Sequence, residues 1–344
     1  MQKAKFILSK KKTLDQYNKI KDIADNISYS LKTNPQLISI LESETDTLFS
    51  LHMQNELHYV KDQSRIIFLA QAWTPNDIEH LLKKKITHFV VDNETDLNTI
   101  ISFLKTTKHK IKLFLRMKLK ENTLRTERYY VFGMPSETIN KYIQQLANHP
   151  NIEELGIHFH RKTQNMSEWN YKYELQQLIE PETLTIITSV NIGGGLPSAY
   201  ANTNMDVFTG IYQKIKELKE WLNKHNTKLI IEPGRFLAAS PIKLKTTIIG
   251  IHENTIIVNA SVYNTDMDAL IVPVKLLIEG ELPKQTGTPY IVKGLTPCSL
   301  DLFRYKVYLD NPNIGDTLTF LNAGAYNFTT DFCGLEKLET EVTE

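Results

Sequence analysis

Cysteine is nearly missing from this chain: Cys298 and Cys333 are the only two. Two thiols exclude a disulfide framework and most cysteine-built metal sites, and they suit a reducing cytosol. Long apolar runs are missing as well. No stretch approaches the roughly 20 residues that a membrane-spanning helix needs. The apolar run in the basic N-terminal segment MQKAKFILSKKK is too short for a signal-peptide core. Neither sign of charge is in excess. Forty lysines and arginines face 39 acidic residues, a net charge of +1, so nothing points to nucleic acid or an anionic membrane as partner. Repeats and low-complexity tracts are absent too. The expectation is a soluble, cytoplasmic protein.

What is present is ordinary globular composition, 41% hydrophobic and 23% charged over 344 residues. That is enough for two domains, or for one barrel with an appendage. From about residue 20 to residue 240, short β-branched runs alternate with amphipathic helical stretches. The strand candidates are NISYSL, DTLFSL, RIIFLA, THFVVD, IKLFLRM, ELGIHFH, TIITSVNIGG and KLIIEP. Between them lie TPNDIEHLLKKK, ETDLNTIISFLKTT, SETINKYIQQLANH and FTGIYQKIKELKEWLNKH, several opening on a capping residue. Eight such alternations predict an α/β fold, a (β/α)8 TIM-like barrel over residues 12–240. Beyond 240 the helix period fades. KLKTTIIGIHENTIIVNASV, ALIVPVKLLI, PYIVKG and DTLTFLNAGAY read as strands, which predicts a β-domain from residues 241–344 together with 1–11.

Barrel sites are built at strand C-termini, and four such places carry chemistry. Lys32 closes the strand ISYSL, where a cation is rare unless paired or useful. Desolvation there would lower its pKa and make it a Schiff-base amine; the bland alternative is a snorkelling side chain. Gly193, Gly194 and Gly195 follow TIITSV, and such a run lets backbone N–H groups approach a phosphate; a tight turn is the alternative. Glu232, Gly234 and Arg235 follow the apolar run KLII. They read either as an ion pair or as a grip on a cofactor with a basic ring nitrogen and an anionic group. His158 and His160 share one strand face, with Phe159 on the other. No carboxylate or cysteine lies near enough in sequence to complete a metal site with them, so no metal is expected.

Taken together, these segments resemble the fold-type III pyridoxal-phosphate-dependent decarboxylases, the ornithine, lysine, diaminopimelate and carboxynorspermidine decarboxylase group. The resemblance runs nearly end to end. YSLKTNP is similar to the family's lysine strand and implies that Lys32 carries the cofactor. VFGM (131–134) is similar to its Phe-Gly-Met turn. FHRKT implies His160 stacked on the pyridine ring and Thr163 near the phosphate. NIGGGLP implies the phosphate loop, EPGRF implies Glu232 at the ring nitrogen and Arg235 at the phosphate, and NAGAYNFTTDFCG implies Tyr326 as a cofactor contact. A carboxylate at the ring nitrogen keeps the pyridine protonated and the electron sink strong. Related racemases place an arginine there, so Glu232 argues against racemisation.

The chain also departs from the pattern. In GLTPCSLDLF the cysteine expected to protonate the substrate carbanion from the partner subunit falls one residue late. Pro297 takes its slot, and Cys298 stands where an acidic residue is usual. Asp301 keeps its spacing and is a candidate substrate contact. In NTDMDALIVP, Asp266 and Asp268 are candidates for a distal ammonium. Val272 replaces the arginine that diaminopimelate decarboxylases carry. In LFSLHMQNEL, Ser50 replaces an aspartate while Glu56 is kept. The resemblance therefore implies a divergent α-decarboxylase of an L-amino acid, a diamino acid or a polyamine- or siderophore-type conjugate. It implies pyridoxal 5'-phosphate as cofactor, an amino-acid substrate, and a head-to-tail homodimer with shared sites. An inactive binding or regulatory homologue and a racemase are the alternatives.

Overall fold

The computed structural model describes residues 2–119 and 132–344. Compact clustering of the backbone divides the chain into two units, one of residues 18–197 and 206–234, the other of residues 1–17, 198–205 and 235–344.

The first unit is a closed barrel of eight parallel strands in sequence order. After β1 (Lys5–Ser9), which belongs to the other unit, they are β2 (Asn26–Ser30), β3 (Leu48–Leu51), β4 (Ile66–Leu69), β5 (His88–Val91), β6 (Ile111–Arg116), β7 (Ile152–His158), β8 (Ser189–Asn191) and β9 (Lys228–Ile231). Each expected strand is there. The intervening helices begin where capping chemistry allows. Thr74 accepts from the Asp77 N–H at 3.2 Å, Asp77 accepts from the Thr74 N–H at 3.1 Å, and Pro75 opens the helix that follows. Asn93 caps the Glu94–Leu104 helix through the Asp96 N–H at 2.9 Å.

Strand periodicity of two sets what fills the barrel. Ile67, Val90, Phe114 and Ile230 form one buried apolar cluster, with Leu48 and Leu69 packed against it. A methyl group on Gly156 would run into the Phe114 ring, so the glycine makes room for it. Two residues further along the same strands, the inward position passes from apolar to polar. Leu48 is followed by Ser50, Val90 by Asp92, Phe114 by Arg116 and Ile230 by Glu232. The apolar layer is thus the floor on which a polar layer stands.

The second unit is an eight-stranded sheet. Its strands are β1, β10 (Ile242–His252), β11 (Thr255–Val258), β12 (Leu277–Ile278), β13 (Thr288–Lys293), β14 (Leu302–Leu309), β15 (Thr317–Leu321) and β16 (Thr340–Thr343). The main path runs β12-β15-β10-β11-β13-β14, with β1 antiparallel to β10 and β16 parallel to β1. ALIVPVKLLI is only partly the strand expected. Asp268–Ile271 forms a helical turn closed by Val272 N–H to Asp268 C=O at 3.0 Å, and only Leu277–Ile278 enters the sheet. Pro273 lacks a donor for a central ladder, and Asp268 is drawn inward to a buried arginine described below. Among the described residues, no helix is long and apolar enough to cross a membrane.

The floor is open to test. Phe114→Ala is expected to cost about 3–5 kcal/mol, measured as a lower urea midpoint of the far-ultraviolet dichroism.

Candidate active site

Lys32 sits one step past the strand it was expected to end. It lies in a 3-10 turn, Leu31–Thr33, directly after β2. Pro35 forces Asn34 into an extended conformation (φ −168°). Asn34 Oδ1 then accepts from Gln36 N–H at 3.0 Å, while the buried Tyr29 hydroxyl donates to the Asn34 carbonyl at 2.7 Å. This bracing fixes the turn that presents Lys32 at the mouth. Lys32 retains accessible surface because the mouth is concave, but its walls displace much of the surrounding water. Burial lowers the Lys32 pKa; Glu232 and Glu56 pull it back up, and Arg116 pushes it further down.

Glu232, just beyond β9, is buried and surrounded by donors. Its Oε1 accepts from Ser50 Oγ of β3 at 2.9 Å and from Asn191 Nδ2 of β8 at 2.8 Å. Its Oε2 faces His158 Nε2 of β7 at 3.5 Å. Burial by itself would raise the Glu232 pKa. The His158 imidazole and the hydrogen bonds from His158, Asn191 and Ser50 override it and hold the carboxyl far below the usual range. Ser50 Oγ also lies 2.6 Å from Ser28 Oγ on β2.

Several residues of this mouth escaped sequence reasoning. Arg116 closes β6 and pairs with Asp92 beyond β5, Nη1 to Oδ1 at 3.2 Å. The same Asp92 oxygen accepts from Gly133 N–H at 3.1 Å, and the Arg116 guanidinium lies 4.6 Å from the Phe132 ring centre. Phe132–Met134 is therefore a turn docked on this pair, and Gly133 has the positive φ (+88°) it requires; Val131 lies outside the described residues. His52 follows β3, its Nδ1 buried without a partner, while Glu56 accepts from the N–H groups of His52 and Met53 at 2.7 and 2.8 Å. Burial and then the Lys32 charge push the His52 pKa down to about 3. Arg116, Asp92 and His52 each follow an apolar strand, the same signal that exposed Lys32.

His160 and Phe159 divide as expected: Phe159 packs edge-on against Tyr171, with ring centres 5.1 Å apart. His160 opens into the mouth, and the surrounding walls, then Arg116 and Lys32, push its pKa down to about 4. The glycine loop lies against it. A Cβ at Gly193 (φ +65°) would come 2.6 Å from the Phe159 carbonyl, one at Gly194 2.7 Å from the Glu232 carbonyl, and one at Gly195 (φ +115°) 2.6 Å from the Lys162 carbonyl. Only glycine permits this approach. Asn165 N–H to Gly195 C=O at 2.8 Å ties the loop to the segment that carries half-buried Thr163. Gly234 passes so close to the Thr33 hydroxyl that a side chain there would collide with it.

In the second unit, the candidates fall into two clusters. Arg235 is buried, its guanidinium in a two-pronged pair with Asp268 (Nη2 to Oδ1 2.9 Å), with Nη1 donating to the Tyr200 hydroxyl at 3.0 Å and the Tyr326 ring 5.3 Å away. Asp268 is thus not a distal-ammonium site: both of its oxygens hold Arg235. Asp266 beside it is buried with Oδ2 lacking a partner, and burial, then the Asp268 charge, raises its pKa well above the carboxylate range. Cys298 is half-exposed, its Sγ 3.3 Å from the Tyr263 hydroxyl. That contact, with the N–H groups of Leu300 and Asp301, lowers the thiol pKa, while Tyr263 is pushed up to about 12. Asp301 is not a substrate contact. It is fully buried, Oδ1 accepting from Val262 N–H at 2.9 Å and Oδ2 from Thr296 N–H and Oγ1 at 3.0 and 2.6 Å.

Histidines surrounded by protein make the barrel unit acid-sensitive, His160 among them. His52 and His88 are both pushed down to about 3, chiefly by burial. The folded state keeps them neutral where the unfolded chain takes up protons below about pH 6.5. Their lowered pKa values therefore subtract stability as pH falls from about 6.5 towards 3. His88→Gln is expected to flatten the fall in melting temperature between pH 7 and pH 5, recovering on the order of 1–2 kcal/mol at pH 5, as scanning calorimetry at matched ionic strength will register.

Comparison with known proteins agrees with this geometry. Residues 10–239 match the family model described as pyridoxal-dependent decarboxylase, pyridoxal binding domain. The chain is 22% identical to a probable ornithine decarboxylase of Dictyostelium discoideum, over 88% of this chain and 70% of that one. It is also 22% identical to antizyme inhibitor 2 of Xenopus laevis, over 90% and 74%. A crystal structure of lysine/ornithine decarboxylase from Vibrio vulnificus complexed with putrescine superimposes with a TM-score of 0.80 at 20% identity, covering 99% of this chain and 94% of that one. The mouth suits the cofactor of that family, with an amine of lowered pKa, an ionised carboxylate at depth and a loop that only glycine can form. The chain belongs to the pyridoxal-dependent decarboxylases, and pyridoxal 5'-phosphate is its cofactor.

Proposed function

We propose that the protein is an α-decarboxylase of an L-diamino acid, or of an amino-acid conjugate of the polyamine or siderophore type, releasing carbon dioxide and an amine. The observation that carries this reading is that Lys32 and the ionised Glu232 share one barrel mouth, where the Glu232 charge acts on Lys32. Pyridoxal phosphate supplies the electron sink that a carbanion needs once carbon dioxide has left.

The chain's own residues do the rest. Lys32, with a lowered pKa, has a larger neutral fraction and is the residue that holds the cofactor. Glu232 would stand at the ring nitrogen as an ionised acceptor. His160 would face the ring, and Gly193–Gly195 with Thr163 would hold the phosphate. The Arg235 charge is already matched by Asp268. Asp266 is the remaining aspartate for the substrate's distal group. Cys298 Sγ returns a proton to the substrate carbon from a second copy of the chain, in a cytoplasmic homodimer with shared sites. The likeness to an antizyme inhibitor favours one other reading, a regulatory protein without turnover; intact Lys32 and Glu232 weigh against it.

Carbon dioxide release from the cofactor-loaded protein tests this. The panel is ornithine, lysine, arginine, diaminopimelate, carboxynorspermidine and citryl-conjugated diamino acids. One of these is expected to release carbon dioxide, with Cys298→Ala slowing release by about 10²-fold or more. Lys32→Ala is expected to abolish release and to leave no pyridoxyl group on the peptide containing residue 32 after borohydride reduction. Silence across the panel with cofactor bound at Lys32 would favour the regulatory reading, and exchange of enantiomers without gas would favour a racemase.

A further inference from the structure

Glu232 presents two unlike oxygens. Oε1 is filled by Ser50 at 2.9 Å and Asn191 at 2.8 Å, whereas among the described residues Oε2 has only the long 3.5 Å approach of His158. An ionised carboxylate can only accept, so Ser50 must donate to it. The hydrogen in the 2.6 Å contact between the two serines therefore comes from Ser28. Ser28 and Ser50 are 0% and 2% exposed, so water does not supply this order. A directed chain results, Ser28 to Ser50 to Glu232, each bond polarising the next. It crosses from β2 through β3 to the end of β9, and Asn191 meets the same oxygen from β8.

We propose that the Ser28–Ser50 hydroxyl pair is a positioning device that pins Oε1 of Glu232 and turns Oε2 to the ring nitrogen of the bound cofactor. The pair acts through Glu232 and touches neither substrate nor cofactor. Neutral donors suit this place. A second carboxylate at residue 50 would share a proton with Glu232, and the cations and imidazoles facing Glu232 (Lys32, Arg116, His52, His88, His158 and His160) are already disposed around one negative charge. This inference rests on the assignment of Glu232 to the ring nitrogen, so its test has one arm without cofactor.

In that arm, Ser50→Asp is labelled with [13C]carboxyl aspartate and glutamate and titrated by NMR. One carboxyl absent from the wild-type titration is expected to take up its proton at a pH at least about one unit above the ordinary range, and Glu232→Gln added to it should return residue 50 to normal. A Ser50→Asp titration that adds no raised carboxyl to those of the wild type would overturn the contact itself, whether or not cofactor binds. In the loaded protein, the [15N] shift of the cofactor ring reports its protonation. Ser50→Ala is expected to bring ring deprotonation about one pH unit lower and to weaken cofactor binding about tenfold. Ser50→Thr should restore both, and Ser28→Ala should give a smaller shift in the same direction. If Ser50→Thr does not fold, Ser28→Ala decides. A wild-type ring shift and affinity in Ser50→Ala would overturn the positioning role. A wild type that takes up no cofactor would overturn its ring-nitrogen half together with the proposed function, and the cofactor-free arm would still decide the contact.

Discussion

The first unit is organised around one buried negative charge. An unpaired carboxylate taken out of water is penalised by several kcal/mol and would recover its proton. Glu232 keeps its charge because a closed parallel barrel brings four strands to one point. β3, β7 and β8 each supply a polar group, and β9 delivers the carboxylate. An open sheet would not achieve this, since Ser50 and Glu232 are 182 residues apart in sequence and on strands that do not pair. Closure of the barrel is thus a precondition for the charge as well as for the shape.

That charge then dictates its neighbours. Lys32 and Arg116 are two cations near one carboxylate, and a second anion is needed; Asp92 supplies it beside Arg116. The histidines of the mouth answer the same field differently. His52 and His160 are crowded by cations and by protein walls and so remain neutral, which leaves them as ring surfaces and lone pairs rather than charges. A mouth with one pinned carboxylate, one paired guanidinium and His52 and His160 held neutral leaves the Lys32 amine as its tunable group. This is the electrostatic setting a Schiff-base lysine needs.

Periodicity made most of the barrel legible. Eight β-branched runs and the caps at Thr74 and Asn93 are local signals, and local signals survive folding. Lys32 and the glycine triad stood out because each breaks the rule for its place, a cation after a buried strand and three residues without side chains. Arg116 and Asp92 carried the same signal and were passed over, because neither belongs to a contiguous motif. Ser28 and Asn191 gave no signal at all, and Ser50 stood out only as the replacement of an aspartate, with nothing to say what it touches. Short polar residues on strands are common, and only the register of the closed barrel shows that three of them converge. Asp268 and Asp301 failed for the opposite reason. A carboxylate in sequence reads as available, whereas one partner, Arg235, is 33 residues away from Asp268, and the loop around Asp301 closes on it from both sides.

Asp301 also fixes the loop that carries Cys298. Its two oxygens hold Val262 N–H on one side and Thr296 on the other, and its own N–H bonds the Cys298 carbonyl at 3.1 Å. The turn 298–301 is therefore anchored at its far end by a buried group. Gly294 has no room for a Cβ against that carboxylate, so the chain must pass close to it. Pro297, the residue before Cys298, is exposed and brings no N–H to the turn. Within that loop Cys298 Sγ lies against the Tyr263 hydroxyl, and the Tyr263 ring stacks on Phe332 at 4.0 Å between centres. The residue that reads in sequence as a substrate contact is instead buried as the anchor of the loop that carries the thiol.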